Sequence, residues 1–351
     1  MKFFAALTIA GAIAPAVAVP AAPTVPDILG TKVCTIPPKR VEWRELGAAN
    51  QKSYIDAVLC LKTKPSRIGL ESSLYDDFPY VHFKLNDWSQ FPVRHLVLVL
   101  LANQLKTVHG AAPFLPWHRY FGVIYEQALR DCGYKGPGTY WDWTKDAKKG
   151  LLSSPVMAEK NGFGGNGNQD LWEWTDAGSG LQCVETGPFA KLRPEYLEEE
   201  PKVLSKGGHC LYRNMPEVNE PQAYQMMVPQ ITPEGIKELQ TSGNWTHFAT
   251  ATEGGPHGTI HASLGGEMNP TTSPNEPLFF MHHAQIDRVW WQWQQKNAKR
   301  FSEYNGQGMH YPSRDKKSVN LDDVLPMFGL AKDVKVRDVM NPSKGPLCYR
   351  Y

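Results

Sequence analysis

Six of the eleven histidines in the chain fall into two sets of three: His82, His109 and His118, then His257, His261 and His283. Imidazole is a common ligand for transition metals because one ring nitrogen can bind the ion while a hydrogen bond fixes the other. His257 and His261 are four residues apart, so on a helix both rings leave the same face and can share one ion. The same spacing also arises on solvated helix faces, and the pair gains meaning only from its company. His118 stands in FLPWHRYF and His283 in FFMHHAQIDRVWWQW, surroundings too apolar for an imidazole that faces water. A buried imidazole needs a partner. One such histidine is more simply a satisfied core residue, whereas six in two sets point to a pair of metal ions. Ligation by imidazole alone suits copper among first-row metals. Zinc accepts the same ligand type, but nothing here supplies the carboxylate ligand usual in zinc hydrolases.

Helices must carry these side chains inward. A helical pattern runs from Ala48 to Lys62 with Tyr54, Val58 and Leu61 on one face, and others cover Phe121–Cys132 and Met281–Lys299. Between residues 133 and 220 Gly, Pro and Asn are frequent and periodic runs scarce, which predicts long loops rather than a second domain. The expected fold is therefore mainly α, a single domain in which a four-helix bundle holds the metal pair amid long loops. With 42% apolar and 21% charged residues over 351 positions, the chain can bury a sizeable core. Its net charge of +2, without a basic stripe, excludes nucleic acid as an implied partner.

Lys2, the apolar run Phe3–Ala14 and an A-x-A site ending at Ala18 read as a signal peptide over residues 1–18, leaving 19–351 as the catalytic domain. The run is short of a membrane span, and no other segment reads as one. An extracellular destination suits the six cysteines as disulfides, with 15 pairings open. Asn244-Trp245-Thr246 offers one glycosylation site at Asn244.

The segments PHGTIH, NEPLFFMHHAQIDRVW, GAAPFLPWHRYF and GPGTYWDWT resemble the type-3 copper proteins, namely tyrosinases, catechol oxidases and haemocyanin units, and in particular the short secreted ascomycete tyrosinase-like group. The likeness runs from about Arg40 to Tyr351. It implies two copper ions, the first on His82, His109 and His118 and the second on His257, His261 and His283, with His282 as a neighbour of the ligands. It also implies that Glu253 holds a water that accepts the substrate's proton, and that Arg40 packs on the closing Tyr349-Arg350-Tyr351. Asp287, one turn after His283, is expected to orient a ligand ring or to pair locally, with structural support its main role. The partners implied are O2 and a small phenol, for a monomer or weak homodimer with no domain shielding its coppers.

Three departures from the family pattern bear on function. Thr107 stands where many fungal members carry a cysteine linked to the histidine two residues on, so His109 must be oriented by packing and hydrogen bonds. Gly258 follows His257 where many monophenol hydroxylases carry asparagine, which predicts oxidation of o-diphenols to o-quinones with weak or absent monophenol hydroxylation. Trp88–Lys106 is unlike the family; removing it joins HFKLND to TVHG, so it reads either as an unspliced intron or as a real apolar insertion. Tyrosinase activity, o-methoxyphenol or o-aminophenol oxidation, O2 carriage and an inactive relic are the alternatives.

Overall fold

In the computed structural model, residues 26, 34–86, 108–200, 203–306, 308, 319–344 and 347–351 are described. The signal peptide expected over 1–18, the segment Trp88–Lys106 and Thr107 lie outside them. The α-helices are α1 (Ala48–Leu61), α2 (Leu74–Asn86), α3 (Phe114–Asp131), the short α4 (Pro216–Asn219), α5 (Pro221–Met227) and α6 (Pro233–Leu239), then α7 (Trp245–Thr252), α8 (Gly258–Leu264), α9 (Phe279–Gln295) and α10 (Val336–Val339). Among the described residues strands are short and form two-stranded pairs only: β1 (Val41–Glu42) with β2 (Thr139–Tyr140) in parallel, and three antiparallel pairs, β3 (Trp172–Trp174) with β4 (Gly180–Gln182), β5 (Tyr196–Glu200) with β6 (Val203–Lys206), and β7 (Val324–Leu325) with β8 (Val334–Lys335). This is the mainly α, single-domain architecture expected, with loops, 3-10 turns, small hairpins and the short α4 in the described part of 133–220.

Aromatic packing holds the bundle together. Tyr125 of α3 stacks on Phe280 of α9 at 3.6 Å between centroids, and Phe78 of α2 meets Phe121 of α3 at 5.5 Å. Phe248 of α7 stacks on Trp293 of α9 at 4.5 Å. Each such ring, fully buried, contributes about 1.5–3 kcal/mol. Three disulfides fix the pairing that the sequence left open: Cys34–Cys348, Cys60–Cys132 and Cys183–Cys210. The second ties the end of α1 to the end of α3.

The helix limits differ from the periodicity in instructive ways. α3 begins at Phe114, seven residues before the predicted start, because Pro116 lies in the first turn, where its missing N–H has no partner to lose. α2 has no counterpart among the three helical patterns above, and it continues through Pro79. α9 stops at Gln295, and Asn297 caps a separate 3-10 turn over Ala298–Phe301 by accepting from the Lys299 N–H.

Candidate metal centre

Four helical segments and one turn bring the six histidines together. His82 comes from α2, His118 from α3 and His283 from α9, while His109 lies in the turn before α3. His257 ends a π-helical turn, Glu253–His257, that runs directly into α8, where His261 follows. Their one-turn spacing places the two rings 4.4 Å apart.

The first set is compact, with ring centroids 5.0 Å apart for His82 and His109, 5.5 Å for His82 and His118, and 5.1 Å for His109 and His118. The Nε2 atoms of His82 and His118 are 3.4 Å apart. In the second set His283 lies 5.1 Å from His257 and 5.7 Å from His261. Within each set one ligand atom per residue lies within 4.8 Å of all the others, and His282 joins the second set by this measure. The sets face each other, His118 stacking on His283 at 4.3 Å and His109 on His257 at 6.1 Å. The ring of His282 stays with its own set, 5.5 Å from His257, 5.3 Å from His261 and 5.1 Å from His283, with Trp143 behind it at 6.4 Å. Adjacent histidines on one helix are not separable by composition, and the direction each ring takes in space distinguishes them.

The hydrogen bonds leave the donor set ready for a metal. His82, His118, His257 and His261 each place Nδ1 on a backbone carbonyl, of Thr271, Phe114, Glu253 and Met268 respectively, at 2.5–3.1 Å. A ring that donates through Nδ1 presents the lone pair of Nε2. Among the described residues, Nε2 of His257 and His261 and both ring nitrogens of His282 and of His283 are buried without a hydrogen-bond partner. Such atoms are costly to bury unless something binds them. Burial pushes His82 and His261 down to about 4, and it drives His109, His118, His257 and His283 well below the usual histidine range. All six rings are thus neutral at pH 7, the form that ligates. Phe114 packs against His257 and His118 at 4.7 and 4.8 Å, and Phe279 against His283 at 4.2 Å, so the surroundings are apolar.

Glu253 opens the π turn and accepts a hydrogen bond from the Gly110 N–H at 2.7 Å, joining the His257 segment to the turn that carries His109. Burial raises its carboxyl to about 7. It lines a cavity of about 250 Å³ with Gly110, Thr250 and Asn305. Gly258, the first residue of α8, has ordinary helical backbone (φ −60°, ψ −33°), and a Cβ placed there would sit 3.3 Å from the Glu253 carbonyl oxygen. Asp287 is buried between charges: one oxygen accepts from Arg119 Nε at 2.5 Å, the other from Arg40 at 3.3 Å and from the hydroxyls of Tyr349 and Tyr351 at 2.6 Å each. The Arg40 guanidinium lies 3.5 Å from the centre of the Tyr349 ring. Burial opposes ionisation of Asp287, but its two arginines outweigh that and hold its carboxyl below the usual range. Asn244 is exposed and caps α7, accepting from the His247 N–H at 3.0 Å.

Two facing sets of neutral imidazoles in an apolar helical bundle define a binuclear copper protein of the type-3 class. The model of the common central domain of tyrosinase matches residues 72–296, and the chain belongs to the tyrosinase family, whose cofactor is a pair of copper ions. It is 36% identical to a tyrosinase-like protein, phomQ2, of Diaporthe leptostromiformis, over 92% of this chain and 74% of that one. It is 34% identical to the tyrosinase ustQ of Aspergillus flavus, over 91% of this chain and 80% of that one. Among solved structures, a glycine-to-asparagine mutant of a polyphenol oxidase from Thermothelomyces thermophila superposes with a TM-score of 0.68 at 27% identity, covering 90% of this chain and 88% of that one. The chain is accordingly an oxidoreductase of this family. No helix among the described residues is long and apolar enough to cross a membrane, and three disulfides fit an extracellular protein.

Proposed function

We propose that the chain is a secreted, copper-dependent oxidase that converts o-diphenols to o-quinones. In this reading His82, His109 and His118 hold one ion, and His257, His261 and His283 hold the other. The observation that carries it is the pair of histidine sets facing each other, with Nε2 of His257 and His261 and both ring nitrogens of His283 buried and unpartnered. His283 is preferred to His282 because a two-metal site requires its ligands to converge on a gap of about 3.5–4 Å between ions, and of these two neighbours His283 is the one that stacks on a ring of the opposite set, His118.

The copper pair supplies the binding and reduction of O2, one O2 taking four electrons from two diphenols and yielding two quinones and two waters. The chain's own residues do the rest. Phe114 and Phe279 keep the ring nitrogens away from bulk water. Glu253, near half-protonated at neutral pH, is the group to take a hydroxyl proton from the substrate through a water and to return it. Gly258 offers no side-chain acceptor beside it, which favours diphenols, whose first hydroxyl is the more acidic. The names of the two relatives favour a second reading, hydroxylation of monophenols, for the same metal ligands. An attached sugar at Asn244 fits its exposure.

The test is metal analysis of the purified, folded protein together with O2 uptake on catechol. Two coppers per chain and catechol-dependent uptake are expected. Zinc, a single copper, or a two-copper protein inert to catechol overturns the proposal.

A further inference from the structure

Helix geometry alone aims two of the four carbonyl-bound histidines. His118 and His257 donate to the carbonyls of Phe114 and Glu253, each four residues earlier on the same helical run. His82 and His261, one from each set, instead reach Thr271 at 2.5 Å and Met268 at 2.6 Å. Both acceptors belong to the single loop 265–272 between α8 and α9. One loop therefore orients a histidine of each set.

That loop is not held by local propensity. Gly265 and Gly266 take φ of +59° and +49°, and a Cβ at either would meet a carbonyl oxygen at 2.2 or 2.4 Å, so the chain turns sharply there and needs external anchors. Two carboxylates supply them. Glu198, on β5, accepts from both the N–H (2.6 Å) and the hydroxyl (2.5 Å) of Thr271, and its own N–H donates to the Thr272 hydroxyl at 3.3 Å. Glu267, fully buried, meets His209 Nε2 at 2.6 Å and accepts from the Asn275 amide at 3.0 Å. β5 is itself backed by the Cys183–Cys210 disulfide, which packs with Leu197.

We propose that Glu198 and Glu267 are positioning residues for the metal centre, Glu198 acting on His82 through the Thr271 carbonyl and Glu267 on His261 through the Met268 carbonyl. The inference rests on the copper-ligand reading above. Each carboxylate fixes the direction of one acceptor carbonyl, and that carbonyl fixes the tautomer and plane of one ligand ring. The loop 265–272, held by Glu198 from β5 and by Glu267 within it, thus serves both ligand sets.

Copper retention, measured by titrating the copper-loaded protein with a colorimetric Cu(I) chelator, tests this. Removing a partner that orients a metal ligand lowers affinity by about 10–100-fold, and one bond further out the low end, about 10-fold, is expected for Glu198→Ala. Glu198→Gln, which keeps one acceptor oxygen, should recover part of the loss. The loss should persist when the second set is disabled by His261→Ala and vanish when the first is disabled by His118→Ala. Glu267→Gln should show the reverse dependence. A merely structural role would lower the melting temperature without this site selectivity, and unchanged copper affinity in Glu198→Ala, whatever its stability, overturns the proposal. Should Glu198→Ala fail to fold, Thr271→Val removes the hydroxyl half of the clamp while keeping the carbonyl, and an affinity equal to the parent's overturns it too. A parent chain that binds no copper refutes the ligand reading instead.

Discussion

Placing asparagine at position 258 should raise the ratio of monophenol to diphenol turnover, and the structure sets the scale of both gain and cost. The backbone at Gly258 is already helical, so a side chain meets no conformational barrier, and exchanging glycine within a helix contributes up to about 1 kcal/mol of stability. Against this stands the 3.3 Å approach of the new Cβ to the Glu253 carbonyl, the acceptor that holds His257 Nδ1 at 3.1 Å. The carbonyl must yield by a few tenths of an ångström, and the ring it orients yields with it. Gly258→Ala isolates that cost: both activities should fall together, by less than about 10-fold, with the ratio unmoved. Gly258→Asn adds an amide oxygen beside Glu253, and one further positioned proton acceptor should lift the ratio over that of Gly258→Ala by about 10–100-fold, or about 1.4–2.8 kcal/mol. The assay is initial O2 uptake on catechol and on tyrosine at matched copper content. Comparable rates on both substrates in the parent refute the reasoning, as does a ratio in Gly258→Asn equal to that of Gly258→Ala while both variants hold two coppers.

Asp287→Asn leaves Arg40 and Arg119 buried without their shared carboxylate, so denaturant unfolding should show a loss of about 3–5 kcal/mol; a loss under about 1 kcal/mol would contradict the network's role. Asp77 is buried with its carboxyl raised to about 6 from 3.8, so its native proton is lost at a higher pH than its unfolded one. The stability this represents is present below about pH 4 and gone above about pH 6. The stability of the parent relative to Asp77→Asn should accordingly fall by up to about 3 kcal/mol across that window and stay flat above it, and a parent that gains on the variant instead would reverse the sign.

The histidines were legible because their neighbours are: Trp117, Tyr120, Phe279 and Phe280 announce burial in one dimension, and a buried histidine must account for its nitrogens. What orients those histidines was not. Thr271 and Met268 act through backbone carbonyls, which every residue possesses, so no side-chain type marks them. Glu253 was legible as a residue four before His257, but its segment Gly254-Gly255-Pro256 reads as loop, whereas the chain makes a π turn with Gly255 at a non-helical ψ of −108°. The short β5–β6 hairpin was hidden for a similar reason. Its run of three glutamates looks like a solvated face, yet Glu198 reaches the loop 265–272 through the local bend where its register shifts.

The clasp on Asp287 also bears on the order of events during synthesis. Arg40 closes it from one side and Tyr349 and Tyr351 from the other, and the Cys34–Cys348 disulfide joins positions 314 apart. A ribosome exposes Arg40 long before it releases Tyr351, so throughout elongation the helix bearing His283 lacks two of the hydroxyls that will fix it. Contacts of such long range form late. Copper delivered to the nascent chain would meet a cradle still open at one end, and stable loading belongs after Tyr349 and Tyr351 have left the exit tunnel.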